Sequence, residues 1–263
     1  VQITILTRYV EVPSGRGRPG PLGAALSEAF SGAGWRVTTA DPLDMPVDLA
    51  PGPKAPGPAA ALVALSPLRP DWDLPVLRQM ARSGVELRNR LGGLENFTDP
   101  VWPLAVLAAA GISVAPARLL RKPLGPEDRE VRLPAHLEVL LPDGSGERMI
   151  VRDRGSLDGI LGLVWRKDGR VLLREGEEEE ALRIPAAGGE IFFSGNELPA
   201  EAEALVRAAA RALRLDFLLV EAVRSGGTFS AARVFPFAAE GPRDLTEGMC
   251  AAIVRTCASA LRP

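Results

Sequence analysis

Residues 86–120, ELRNRLGGLENFTDPVWPLAVLAAAGISVAPARLL, decide how the chain is organised. Glu86 to Asn89 reads as a short strand. Thr98, Asp99 and Pro100 then supply helix-start chemistry ahead of an Ala/Leu-rich run to Ala110, and Gly111 stops it. Ile112 to Leu120 continues extended around Pro116. Upstream, Gln2 to Arg8 reads as a buried strand, 13–21 as a loop, and Leu22 to Gly34 as a helix with Leu22, Ala25, Leu26 and Phe30 on one face. Trp35 to Thr39 and Ala61 to Ser66 read as strands around a Pro-rich loop at 42–58, and Leu74 to Gly84 as a helix. This alternation of strand and helix predicts a small parallel α/β domain over residues 1–97.

Downstream the pattern changes. Glu138–Leu141, Met149–Arg152, Ile160–Trp165 and Val171–Arg174 all read as short strands, with a turn at Asp143–Gly146 and an Asp-Gly hairpin at Lys167–Arg170. A β-rich subdomain is therefore expected over residues 117–175. The run Glu177–Glu180 reads as a solvated stretch, because like charges adjacent in sequence do not converge on a cation. Pro199 to Arg214 is an amphipathic helix, followed by strands at Phe217–Val223 and Thr228–Phe235 around Ser225-Gly226-Gly227, and by a helix from Leu245 to Leu261. Residues 98–263 thus read as an α+β region.

Composition narrows the function classes. With 46% hydrophobic residues in 263, the chain has apolar material for a packed core, and 33 acidic against 31 basic side chains give no electrostatic reason to expect nucleic acid or an anionic membrane as partner. A single histidine, His136, with no Cys or carboxylate cluster nearby in sequence argues against a His-rich metal site or a Ser-His-Asp triad. Cys250 and Cys257 are seven apart in a helical segment, too distant for an unstrained disulfide, and fit a reducing compartment. No apolar run reaches the roughly 20 residues that span a bilayer, and the N-terminus shows no signal-peptide layout, so a soluble cytoplasmic protein is expected. Only Lys54, Lys122 and Lys167 are lysines; the Arg, Ala, Gly and Pro bias resembles the product of a GC-rich bacterial genome.

The order of elements and several local phrases resemble the ATP-grasp ligases, in particular the glutathione synthetase and RimK-like group. Asn89, Asp99, Leu107, Gly111, Ile112 and Pro116 stand at places matching that family's exit from its N-terminal domain. Residues 198–223, LPAEAEALVRAAARALRLDFLLVEAV, look like the long helix and strand before its metal-binding hairpin. The resemblance implies a pre-ATP-grasp α/β domain followed by an abbreviated ATP-grasp region. It also implies ATP held between two lobes, a carboxylate activated as an acyl phosphate, and displacement by an amine or thiol.

The residues that the family uses are altered here. An Asp and a Glu-x-Asn hold its metal; the matching positions are Glu221, Arg233 and Phe235, so Glu221 is a residual ligand position and the other two ligands are replaced. A fixed guanidinium charge would stand where divalent cations belong. A Glu221–Arg233 pair across the hairpin is the expected substitute for the lost metal bridge. The family also places a lysine before a Gly-rich phosphate loop. In one placement Leu141 replaces that lysine and Gly144, Ser145 and Gly146 lie in the shortened loop, with residues 158–164 and 167–174 as downstream strands. In the other, Arg152 replaces it and Gly155, Ser156 and Gly159 form the loop. Arg174 and Arg183 match family arginines near phosphate.

Two functions follow as expectations. In the first, the chain is a degenerate ATP-grasp fold without confident cofactor that acts by binding, as scaffold or regulator of a ligase or peptide-modifying system. Arg152, Arg154, Arg183 and Arg233 then favour an anionic or peptide ligand or a protein partner, and a homo-oligomer is compatible with the sequence. In the second, it is an active ATP-dependent carboxylate–amine ligase using ATP and Mg²⁺, with metal held by residues such as Asp143, Asp153, Asp158 or Glu221.

Overall fold

The first strand, β1 (Gln2–Leu6), carries Ile3, Ile5 and Leu6 fully buried on both sides of its pleat, so it must lie inside a sheet covered on two faces. A computed structural model of the chain describes residues 1–10, 17–45, 60–65, 68–99, 101–121, 131–141, 146–176, 181–195, 197–225 and 227–260. After β1 come the short pair β2 (Tyr9–Val10) and β3 (Arg18–Pro19), α1 (Pro21–Gly32), β4 (Arg36–Ala40), β5 (Ala60–Val63), α2 (Pro70–Arg82) and β6 (Glu86–Arg88). β4-β1-β5-β6 form one parallel sheet, as the alternation predicts. Leu26 and Phe30 of α1 pack on Ile3, Ile5 and Leu62, while Leu74 and Leu77 of α2 pack with Leu6, Ala61 and Val63.

The short α3 (Leu91–Leu94) and then α4 (Trp102–Ala109) lead out of this sheet. Asp99 accepts the Val101 N–H at 2.8 Å just ahead of α4. Next come β7 (Arg118–Leu120), β8 (Ala135–Leu140), β9 (Gly146–Val151), α5 (Arg154–Trp165) and β10 (Arg170–Glu175). They build an antiparallel sheet of order β7-β10-β8-β9. Leu137, Val139, Val151, Val171 and Leu173 meet Leu157, Leu161 and Val164 of α5 in a separate apolar core.

Here the structure corrects two readings. Ile160–Trp165 is the second half of α5, not a strand. A short apolar run such as ILGLVW satisfies either element, and two facts decide for helix. Asp153 caps the segment by accepting the Ser156 N–H at 2.9 Å, and Leu157, Leu161 and Val164 recur at helical spacing toward the sheet. The Asp168-Gly169 pair is correspondingly the stop of α5 and not a hairpin: Asp168 takes φ 52° and the Gly169 N–H returns to the Val164 carbonyl. A Cβ on Gly169 would lie 2.6 Å from Val164 Cγ1, so glycine is required by the close approach. Lys54, Lys122 and the run 177–180 lie outside the described residues.

The last sheet, β12-β11-β13-β14, contains β11 (Leu182–Ala187) and β12 (Glu190–Ile191), which the sequence did not reveal. α6 (Ala200–Leu213) follows, then the long hairpin β13 (Phe217–Ser225) and β14 (Thr228–Phe235), and finally α7 (Glu247–Ala260). Leu205, Val206, Ala209 and Leu213 of α6 cover one face of this sheet, against Ile184, Leu218, Val220 and Ala222. Met249, Ile253 and Cys257 of α7 join Ile3, Ile5 and Phe30 in one core with Phe217 and Phe237, which ties the chain's two ends together.

Candidate functional site

Side chains on a strand alternate between faces, so each sheet has one face on its helix and one left over. On the central sheet the leftover face carries His136 and Glu138 of β8, with Arg148 of β9 opposite Glu138 and Arg174 of β10 opposite His136. On the C-terminal sheet it carries Arg183 of β11, Glu221 of β13 and Arg233 of β14, all in register. The two leftover faces meet through these side chains.

Arg148 reaches across to Glu221 with two hydrogen bonds of 3.0 and 3.2 Å, one to each carboxylate oxygen. Arg233 reaches the other way: its Nη2 lies 2.8 Å from Glu138, and its Nη1 lies 3.7 Å from Glu221. Arg174 stands 3.9 Å from Glu138 and donates to the Ala232 carbonyl of β14. Arg183 is 3.8 Å from Glu221 and pairs outward with Glu240, with Asp244 at 3.9 Å. The Arg233 guanidinium also lies over the Phe235 ring at 4.7 Å.

Glu138 is 7% exposed and Glu221 4%. A carboxylate removed from water is costly unless it is paired, and burial pushes both carboxyls above their usual range. Arg174 and Arg148 pull Glu138 partly back, and Arg148 and Arg183 do so for Glu221. Burial likewise lowers Arg174, against the pull of Glu138 and Glu221. Glu138 Oε2, Arg174 Nε and His136 Nε2 are buried without a hydrogen-bond partner. Arg148, Arg174, Arg183 and Arg233 are matched by Glu138, Glu221, Glu240 and Asp244, so the cluster is neutralised from within.

That balance bears on the metal and the triphosphate which the resemblance implies. Mg²⁺ demands a near-octahedral set of oxygen ligands. Both oxygens of Glu221 are held by Arg148, Arg233 stands between Glu221 and Glu138, and Phe235 offers no oxygen. Among the described residues, no group of three or more His, Cys, Asp or Glu side chains is placed to hold a metal. The described residues do not fit Mg²⁺. Nor does a self-neutralised cluster leave net positive charge for a triphosphate.

The other expected site residues are scattered. Asp143, Gly144 and Ser145 lie outside the described residues, and Gly146 begins β9. Gly155, Ser156 and Gly159 are turns of α5, so the second loop placement has no loop, and residues 158–164, expected as a strand in the first placement, are helical. Arg152 is exposed between β9 and α5. Arg154 pairs with Asp158 on the surface of α5, and Asp153 caps that helix. The expected Glu221–Arg233 pair is present, yet each has a closer partner in the facing sheet. Glu138 and Arg148 went unnoticed in sequence, although a carboxylate inside AHLEVLL was a visible signal.

No family model matches the chain, and no curated protein matches it. Solved structures do. A RimK domain ATP-grasp protein from Sphaerobacter thermophilus DSM 20745 superposes with TM-score 0.74 at 20% identity, covering 97% of this chain and 99% of that one. D-alanine–D-alanine ligase from Bacillus anthracis complexed with ATP superposes with TM-score 0.69 at 18% identity, covering 98% and 97%. D-cycloserine synthetase DcsG gives 0.67 at 15% identity over the whole of both chains. The chain therefore has the ATP-grasp fold. No helix among the described residues is long and apolar enough to cross a membrane.

Proposed function

We propose that this chain is an ATP-grasp fold turned from ligation to binding, with an ionic clasp standing where the fold's ligases hold metal and nucleotide. One observation carries the reading: Arg148 takes both oxygens of Glu221 while Arg233 ties Glu138 to the same hairpin, so the residual metal-ligand position at Glu221 is occupied by guanidinium. A bound divalent cation would have to displace two arginines that cannot lose their protons. The clasp holds the central sheet against the C-terminal sheet without a ligand, which suits a scaffold or regulator that presents a preformed surface to a protein partner or a small anionic or peptide ligand. Free thiols at Cys250 and Cys257, the latter pushed up to about 12 by burial and so inert, support a cytoplasmic setting.

Calorimetry of the full chain with Mg·ATP is the test. The expected result is no metal-dependent saturable binding in the micromolar range. Micromolar affinity that vanishes on chelation, or ADP release stimulated by an amino acid or peptide, would replace this reading with an active carboxylate–amine ligase.

A further inference from the structure

The turn after β4 and the start of α2 are held against each other by one guanidinium. Arg8 bonds Asp41 at 3.3 Å and Asp73 at 2.5 Å. Asp41 in turn accepts the Leu43 N–H at 3.0 Å and Asp73 the Arg69 N–H at 2.6 Å, so the turn at Pro42–Asp44 packs on α2 over one ionic base. Two large apolar side chains stand out from that base, Leu43 at 42% exposure and Trp72 at 64%. The core does not need Trp72, because α2 already turns Leu74, Val76, Leu77 and Met80 into it. Single exposed apolar residues are ordinary on a protein surface, but a tryptophan and a leucine fixed on one rigid base offer a partner an anchor.

The charge around these two side chains selects the partner. Asp44 follows Leu43 and Asp71 precedes Trp72; both are exposed, and neither joins an ion pair among the described residues. Asp73 Oδ1 is buried without a hydrogen-bond partner, so Arg8 answers only part of that carboxylate. Asp41, Asp44, Asp71 and Asp73 stand against Arg8 and the exposed Arg69, which leaves an excess of two negative charges. That excess repels an anionic ligand or a nucleic acid and draws a lysine or arginine side chain. Arginine gains twice, since its plane also stacks on an indole face. A second copy of the chain is disfavoured here, because a two-fold axis through the patch would bring two acidic rims together.

We propose that this corner docks a basic segment of another protein, with an aliphatic side chain against Trp72 and Leu43 and an arginine or lysine at Asp44 and Asp71. The proposal deepens the reading of the chain as a binding protein by giving its partner a chemistry. Its test is titration of the full chain, without Mg²⁺ or ATP, with the peptide acetyl-Arg-Leu-Arg-Arg-Leu-Arg-amide, beside a parallel titration with the counterpart in which every arginine is glutamate. The basic peptide is expected to saturate one site and the acidic peptide none. Trp72→Ala is expected to weaken binding about tenfold, as loss of an aromatic anchor does, and Asp44→Asn and Asp71→Asn each about two- to fivefold, as loss of an exposed ion pair does. Glu28→Gln removes the same charge from α1, which covers the other face of the parallel sheet, and leaves affinity unchanged. All four side chains are exposed, so their replacement reads docking and not folding. No saturation, equal affinity for the acidic peptide, full affinity in Trp72→Ala, or a loss in Glu28→Gln equal to that in Asp44→Asn each overturns the proposal. So does a dimer in sedimentation that Trp72→Ala dissolves, which would make a second copy the occupant. Because Mg·ATP is absent throughout, failure here leaves the clasp reading standing, and micromolar Mg·ATP binding, which would end that reading, leaves docking at Trp72 standing.

Discussion

The central sheet offers two faces made from the same strands and built on opposite terms. Toward α5, Leu137, Val139 and Leu173 exclude water among other apolar side chains. Toward the C-terminal sheet, Glu138 and Arg174 are withdrawn from water only because each charge meets another, and the exposed Arg148 covers Glu221 from outside. An apolar face tolerates approximate partners, since burial is non-directional. A charged face does not: it is stable as a complete set and costly as an incomplete one.

Breaking the charged face should cost most. Arg233→Met leaves Glu138 and Glu221 buried beside one fewer cation, and is expected to lower unfolding stability by about 3–5 kcal/mol, read by chemical denaturation. A loss under 1 kcal/mol would show that the clasp behaves as a surface pair. Leu137→Ala on the opposite face should cost slightly less, about 2–5 kcal/mol through lost transfer and a residual cavity.

A smaller effect sharpens the contrast by pH. Burial holds the folded-state pKa of Glu138 and Glu221 above the ordinary 4.5, so the folded protein binds these protons more tightly than the unfolded chain does. The stability linked to them is fully present below pH 4.5 and is lost as pH rises through the raised values. Glu138→Gln should flatten the melting-temperature profile across that window, and an unchanged slope would remove Glu138 as a contributor. The smallest effect belongs to the solvated pair Arg154–Asp158 on α5: Arg154→Ala should change stability by only about 0.3–0.5 kcal/mol.

The same contrast explains what could be read in advance. Alternating strand and helix patterns, from Gln2 to Asn89 and again from Pro199 onward, placed the outer elements close to their observed ends, because burial of one face writes a period into the sequence. The ILGLVW run was misread because six apolar residues fit both periods, and Asp153, the capping residue that settles it, lies seven positions upstream of Ile160. β11 stayed hidden because Pro185, which has no N–H for a ladder, sits within it opposite Leu219. Glu221, Arg233 and Phe235 were found through the resemblance. Arg148 was not, since nothing local to GERMIV shows that its guanidinium crosses to a strand more than seventy residues away.

Asn89 accepts the Asp216 and Phe217 N–H groups on its side-chain oxygen and donates its amide to the Phe217 and Pro236 carbonyls, four bonds from 2.7 Å and none to spare. One residue at the tip of the parallel sheet thereby rivets the root of the hairpin that bears the clasp a few residues further along. Inherited change in this protein is accordingly constrained as a whole: an insertion or a recombination joint near position 97 would tear a seam rather than exchange a module.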